Sequence, residues 1–178
     1  PAPGVVSRKI HGAAGTFDIS LPVNGAAGVE CRTPGSNGSY QLVFTFDRPV
    51  ATSGTASVTQ GTGSVATGSP SSSNPRMGEP NQVVVDLTGV TNQQRVVVML
   101  SNVQDTSGNT FDPISVPMDV LLGDVNADRA VNSADATVAR NASGQLANSA
   151  NFRSDVNLDG VINSADATLV RNASGSGF

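Results

Sequence analysis

The sequence predicts a mainly β protein: an antiparallel β-sandwich followed by a small domain of two loop–helix units. Two observations lead to this prediction. Residues 1–122 alternate short Val-, Phe- and Thr-rich runs with Gly, Pro, Asn and Ser, whereas residues 123–178 hold an internal repeat rich in Asp, Asn and Ala. Short apolar runs between turn residues are typical of strands, and a regular series of them indicates a sandwich.

Eight strands are expected in the first region, and one of them shows the alternation most clearly. In it, Leu42, Phe44 and Phe46 alternate with residues of the opposite face, as a half-buried strand requires. The Gly-, Ser- and Pro-rich segment 61–80 is expected to be a mobile loop between two strands. The predicted strands are 5–10, 16–21, 29–32, 40–47, 55–59, 82–87, 95–100 and 114–121.

The composition excludes several classes of function. The chain has 178 residues, of which 13% are charged, and its net charge is −4. This charge favours neither nucleic acid nor an anionic membrane as a partner. No apolar run approaches the roughly 18 residues of a membrane span, so no membrane-spanning segment is expected.

The internal repeat contains the predicted metal-binding residues of the chain. At an offset of 31 residues, segments 124–144 and 155–175 share 15 identities in 21 positions. Each copy places oxygen-bearing side chains at positions 1, 3, 5, 9 and 12 of a 12-residue loop, and such a loop wraps one Ca²⁺ ion. Mg²⁺ fits less well, because it demands octahedral geometry and retains its waters. Two Ca²⁺ ions are therefore expected.

The predicted ligands are the same in both loops, and position 7 contributes a backbone carbonyl while position 9 acts directly or through water. In loop 1 they are Asp124, Asn126, Asp128, Ala130 (carbonyl), Asn132 and Asp135; in loop 2 they are Asp155, Asn157, Asp159, Val161 (carbonyl), Asn163 and Asp166.

Position 6 distinguishes the two loops. A sharp turn there favours glycine, which Gly160 supplies in loop 2, whereas loop 1 has Arg129. We expect Arg129 to cost about 1 kcal/mol of strain and to make site 1 the weaker site. A short helix should follow each loop, with Ser133 or Ser164 near its start.

The motifs at 123–135 and 155–166 resemble those of type I dockerins, which are calcium-binding modules that dock into cohesin domains. This resemblance covers about 56 residues and implies two loop–helix units related by near two-fold symmetry. It also implies that cohesin contacts loop positions 10 and 11 and a late basic residue of each helix. By position these are Ser133, Ala134 and Arg140, and Ser164, Ala165 and Arg171.

The first region is similar to bacterial immunoglobulin-like domains, because segment 103–109 (Val-Gln-Asp-Thr-Ser-Gly-Asn) matches their Val-x-Asp-x-x-Gly-Asn signature. The expected domains are therefore an immunoglobulin-like sandwich at 1–122 and a dockerin-like domain at 123–178. Because only residues 121–123 join them, a fixed interface is expected. Two partners stay open: a separate cohesin-like domain, or the chain's own sandwich clamped by the dockerin-like domain.

The function predicted from these features is a non-catalytic, calcium-dependent adhesion or assembly module at the end of a larger secreted bacterial protein. Such a protein is expected outside the cell or on its surface, as a monomer. An enzyme is not expected, because the chain has one His and no nucleophile motif. The alternative is a carbohydrate-binding or accessory domain of a secreted polysaccharide-degrading enzyme, although there is no Trp and one Tyr to form a sugar platform.

Three further residues could have either a structural or a chemical role. Cys31 is expected to be a buried strand residue and not a nucleophile, and His11 a turn residue at the end of the first strand. Lys9, the only lysine, is expected to be a solvated strand residue. The chemical alternative is an isopeptide bond from Lys9 to Asp119 with Glu30 beside it.

Overall fold

The computed structural model describes residues 2–72 and 81–178, in which eleven strands precede two α-helices. The strands are β1 (Gly4–His11), β2 (Gly15–Ser20), β3 (Gly28–Glu30), β4 (Tyr40–Thr45), β5 (Val50–Thr52), β6 (Thr55–Gln60), β7 (Ser64–Val65), β8 (Gln82–Thr88), β9 (Gln94–Ser101), β10 (Gln104–Asp105) and β11 (Ile114–Val120). The helices are α1 (Ser133–Asn141) and α2 (Ser164–Asn172). The protein is thus mainly β, as predicted.

The strands form two main sheets. The first has the order β2-β1-β4-β8-β7 and the second the order β3-β11-β9-β6, while β5 and β10 make a separate pair. All pairs are antiparallel except β3 with β11, which run parallel, so the prediction of a wholly antiparallel arrangement is wrong at that edge. The reason is that β3 follows β2 but pairs with the last strand and not with its neighbour in sequence.

The inward faces of the two sheets share one apolar core. In β4, Leu42 and Phe44 are fully buried, and they contribute to the same cluster as Val98 of β9 and Met118 of β11. The predicted alternation therefore places its apolar residues inside. Truncating a side chain such as Phe44 to Ala would cost about 3–5 kcal/mol.

Each of the eight predicted strands is present, with ends that differ by a few residues. Segment 61–80, expected to be a loop, includes the short strand β7, which pairs with β8. Residues 73–80 of that segment lie outside the described residues.

Residues 123–178, here called the loop–helix region, pack around a second, smaller core. Val131, Ala139, Val156 and Val170 are almost fully buried in it. This core also includes Val29 and Leu121 of the preceding residues, here called the β-sheet region. No helix in the described part of the chain is long and apolar enough to cross a membrane.

Candidate metal centre

Three carboxylates of loop 1, all predicted ligands, lie close together. Single oxygens of Asp124, Asp128 and Asp135 all lie within 4.8 Å of one another. Asp124 and Asp135 are fully buried, whereas Asp128 is exposed. A cation would relieve the repulsion among three like charges so close together, and oxygen ligands favour a hard cation such as Ca²⁺.

Backbone N–H groups fix the loop 1 carboxylates. The N–H groups of Asp128 and Arg129 donate to Asp124 at 3.1 and 2.9 Å. The N–H groups of Asn126 and Asn132 donate to Asp135 at 3.2 and 2.9 Å. A carboxylate has about four lone-pair positions, so each of these groups retains capacity for a metal.

Loop 2 repeats most of this arrangement. The Gly160 N–H donates to Asp155 Oδ2 at 2.9 Å, and the N–H groups of Asn157 and Asn163 donate to Asp166 at 3.1 and 2.9 Å. Asp155 and Asp166 are fully buried. The Oδ1 atom of Asp155 is buried without a hydrogen-bond partner in the structure, so it is an orphaned oxygen that a cation would satisfy. The donor set of loop 2 therefore fits Ca²⁺.

The asparagines of the loops have a structural role besides the predicted one. Asn132 and Asn163, not the serines after them, are the N-caps of α1 and α2, and their side chains accept the N–H groups of Ala134 and Ala165. Their amide nitrogens donate to the carbonyls at position 7, which belong to Ala130 and Val161. At position 3, Asn126 and Asn157 donate to the carboxylates of Asp128 and Asp159. Within each loop, the asparagines thus form hydrogen bonds with other predicted ligand residues.

Burial and crowding alter the acidity of two of these carboxyl groups. Burial is the main cause that raises the pKa of Asp124, and the charges of Asp135 and Asp128 raise it further against the Arg129 N–H. Burial also raises the pKa of Asp166, helped by the charge of Asp155. A bound cation would remove this penalty and displace any proton.

Position 6 behaves as its residue types predict. Arg129 has φ +70° and Gly160 has φ +90°, so both lie in the left-handed region, which costs a non-glycine residue energy. Arg129 also has a contact that the sequence did not reveal. Its guanidinium donates to the Asp119 carboxylate at 3.0 Å and to the Ala27 carbonyl at 2.8 Å, both in the β-sheet region.

A buried polar chain leads from the β-sheet region to loop 2. His11 is not a turn residue but the buried last residue of β1, and its Nδ1 atom lies 2.8 Å from Asp155 Oδ2. Its Nε2 atom lies 3.1 Å from Nη1 of Arg32, which pairs with Glu30. Burial is the main cause that lowers the pKa of His11, while the hydrogen bond to Asp155 opposes it. Burial alone would raise the pKa of Glu30, but Arg32 and Ser7 lower it.

Arg153 is a second residue that sequence reasoning missed. Its guanidinium donates to the carbonyls of Val29, Asp124 and Val125, and so ties β3 to the start of loop 1.

The six predicted partner-binding residues take no part in the contacts to the β-sheet region described above. Those contacts come from the calcium loops and from segment 152–156. The residues at positions 10 and 11 and the late basic residues of the helices are all exposed: Ser133, Ala134, Arg140, Ser164, Ala165 and Arg171.

The remaining candidates have structural environments. Cys31 is buried, as expected, but it follows β3 and does not lie in a strand, and burial raises the pKa of its thiol to about 11. The two residues of the isopeptide alternative are engaged elsewhere: Lys9 Nζ donates to the Ser39 carbonyl, and Asp119 pairs with Arg95 and Arg129. Nor is Lys9 a solvated residue, since it is 8% exposed and lies over the ring of Tyr40.

Aromatic side chains do not form a platform for sugars in the described residues. Tyr40, Phe44 and Phe46 are buried in the core, and within residues 2–72 and 81–178 the one aromatic side chain classed as exposed is Phe178. Sugar-binding platforms present exposed rings, so this observation does not favour the carbohydrate-binding alternative.

Residues 122–173 match the family model of the dockerin type I domain. No curated protein and no solved structure matches the chain. Dockerin domains bind calcium and cohesin partners, are non-catalytic assembly modules and occur in secreted or cell-surface proteins. The matched segment spans both loops and both helices, so the family and the geometry point to the same residues.

Proposed function

We propose that residues 123–178 form a dockerin-like domain that binds two Ca²⁺ ions and then docks onto a cohesin-like partner. Residues 1–122 are an immunoglobulin-like sandwich that supports the calcium loops from the side opposite the partner. The whole acts as a monomeric, non-catalytic assembly module of a bacterial protein outside the cell or on its surface.

The observation that carries this proposal is the duplicated carboxylate cradle within the matched segment. In each loop, buried aspartates at positions 1 and 12 are fixed by backbone N–H groups of the same loop. A structural turn would need neither two buried carboxylates nor the same arrangement twice. Since a domain of about 56 residues has a thin core, its fold is expected to depend on the metal.

An external partner is favoured over a clamp onto the chain's own sandwich. A clamp that replaced cohesin would cover the partner-binding positions, yet Ala134 and Ala165 are exposed in the presence of the junction. The contacts with the β-sheet region come from the loop side, as His11 and Arg129 illustrate. The junction and the partner surface are therefore separate, and both can be occupied together.

The test combines calorimetry with a binding assay. Calcium titration of the chelator-treated chain should give two binding events, and binding to an immobilised type I cohesin domain should require Ca²⁺. The double variant Ala134→Arg/Ala165→Arg should lose cohesin binding while retaining both calcium sites. The matched control is Ala150→Arg, an exposed position outside the proposed surface. Absence of calcium binding, or cohesin binding that survives the double variant, would contradict the proposal.

A further inference from the structure

His11 links the β-sheet region to the first ligand of loop 2. Its Nδ1 atom lies 2.8 Å from Asp155 Oδ2, and both side chains are fully inaccessible to solvent. The two residues are 144 positions apart in the chain. A histidine in this place must have one defined proton arrangement, because in the neutral ring one nitrogen donates and the other accepts.

Arg32 determines that arrangement. Its Nε donates to Glu30 Oε1, its Nη2 to Glu30 Oε2 and the Ser7 carbonyl, and one Nη1 hydrogen to the Phe17 carbonyl. The second Nη1 hydrogen points to His11 Nε2 at 3.1 Å. Since a guanidinium has five donors and no acceptor, Nε2 must accept. The proton of the neutral ring is therefore on Nδ1 and is donated to Asp155.

This donor orients the Asp155 carboxylate. Oδ2 accepts from both His11 and the Gly160 N–H, so its lone pairs are engaged within the protein. Oδ1 is buried and has no partner in the structure. The carboxylate thus presents one free oxygen to loop 2, as a ligand bound through a single oxygen would.

Loop 1 is held in a different way. Both oxygens of Asp124 accept backbone N–H groups of the same loop, from Asp128 and Arg129. The β-sheet region reaches loop 1 through the Arg129 side chain, which contacts Asp119 and not the position 1 carboxylate. Only loop 2, in the described part of the chain, receives a side-chain donor from the β-sheet region on its first ligand.

We infer that His11 is a positioning residue of the second calcium site: it holds Asp155 so that calcium binding in loop 2 is coupled to the docking of the β-sheet region. The inference rests on the proposed function, because it requires that loop 2 binds Ca²⁺. Partners of metal ligands usually change metal affinity by about 10–100-fold when they are removed. By linkage, calcium strengthens the junction by the same factor.

The test is a calcium titration of the full-length chain followed through amide resonances. Gly160 N–H reports site 2 and Arg129 N–H reports site 1, because each donates to the position 1 aspartate of its own loop. His11→Leu should weaken site 2 by about tenfold or more, and site 1 by no more than about twofold. His11→Asn should recover part of the affinity, since its amide can donate from near the place of Nδ1.

Arg129→Gln is the matched control, because it removes a junction contact without touching Asp155. It should leave site 2 unchanged. Equal weakening of site 2 by His11→Leu and Arg129→Gln would overturn the inference, as would wild-type affinity in His11→Leu. If the Gly160 amide resonance of the wild-type chain does not change when calcium is added, the proposed function itself is wrong.

A second measurement needs no variant and decides the matter if His11→Leu does not fold. Nitrogen-15 spectra of the His11 ring in the calcium-loaded wild-type chain should show a protonated Nδ1 and an unprotonated Nε2. A ring with its proton on Nε2 would overturn the inference.

Discussion

The Nε atom of Arg129 lies 3.0 Å from Oδ2 of Asp119, a buried residue of β11 that also pairs with Arg95. This ion pair explains why loop 1 has arginine at a position where a glycine would be less strained. The backbone of Arg129 has φ +70°, which costs about 1 kcal/mol of strain. Its side chain offsets part of this strain energy by joining loop 1 to the β-sheet region.

Two substitutions at Arg129 should separate strain from anchoring. Arg129→Gln retains the strained backbone and loses the ion pair, so it should lower the free energy of unfolding by about 1 kcal/mol, as expected for a partly exposed ion pair. Arg129→Gly loses the same contact but relieves the strain, so it should be about 1 kcal/mol more stable than Arg129→Gln. Urea unfolding with saturating calcium measures both. Equal stability of the two variants would mean that position 6 is not strained.

The same pair of variants tests the order of the two calcium sites. If strain at Arg129 makes site 1 the weaker site, Arg129→Gly should bring its affinity closer to that of site 2, and Arg129→Gln should not. Calorimetry of each variant supplies the comparison. Site 1 affinity that is unchanged by glycine would refute the argument from position 6.

Calcium removal should affect the two regions unequally. Excess EDTA would remove the cation and leave the loop 1 carboxylates, which lie within 4.8 Å of one another, to repel each other. The amide resonances of residues 124–172 should collapse or broaden, while those of β9 (Gln94–Ser101) persist because the large core of the β-sheet region does not depend on metal. Circular dichroism and melting curves that are unchanged by EDTA would show that calcium does not stabilise the fold.

The two calcium loops could be predicted from the sequence, because the residues that define each loop lie close together in the chain. Position 1 and position 12 of a loop lie eleven residues apart, and the same pattern occurs twice, so Asp124 and Asp155 are recognisable without a structure. Seven of the eight predicted strands have six to eight residues, and their apolar runs between turn residues were visible in the sequence. The strands β5, β7 and β10, which were not predicted, have only two or three residues, a length at which a period of two is hard to distinguish from chance; β3, with three residues, was predicted from its apolar run and its flanking glycines.

A fixed interface was expected, but its contacts could not be predicted, because they join residues far apart in the sequence. His11 meets a residue 144 positions away, and Arg153 meets Val29 across 124 positions. A lone histidine after an apolar strand has no local pattern that distinguishes a turn residue from a buried donor. The parallel pairing of β3 with β11 was missed for the same reason.

Gly12, in the turn between β1 and β2, should be essential to the docking of loop 2. A Cβ atom at this position would lie 2.2 Å from the carbonyl oxygen of Asp159, and φ is +47°. Gly12→Ala should therefore force loop 2 away and cost about 1–3 kcal/mol from overpacking, in addition to the penalty for a positive φ. Gly25→Ala is the matched control, because Gly25 also has a positive φ but open space around it.

Thermal melts of the two glycine variants with and without calcium provide the measurement. Gly12→Ala should lose more of the calcium-dependent rise in Tm than Gly25→Ala. If both variants lose the same amount, the close approach of this turn to loop 2 has no energetic effect.

Lys9 should give the protein a distinctive dependence on alkaline pH. Its amino group lies 4.1 Å from the Tyr40 ring centroid and donates to the Ser39 carbonyl at 3.3 Å. Burial is the main cause that lowers its pKa from 10.5 to about 8, although the charge of Glu30 opposes this. Burial also raises the pKa of the Cys31 thiol, from 9.0 to about 11. This shift has the opposite effect on stability at alkaline pH.

The sign of the Lys9 effect follows from proton counting. Between about pH 8 and its unfolded pKa, the unfolded chain binds more protons at Lys9 than the folded chain, so stability rises with pH. Cys31 acts in the opposite direction above its unfolded pKa, so the total slope alone does not isolate Lys9. The difference between the wild type and Lys9→Met does, because both retain Cys31. Relative to the variant, the wild type should gain about 1–3 kcal/mol in unfolding free energy from about pH 7 to about pH 10, measured by urea unfolding with saturating calcium. A constant difference across that range would mean that Lys9 titrates normally in the fold.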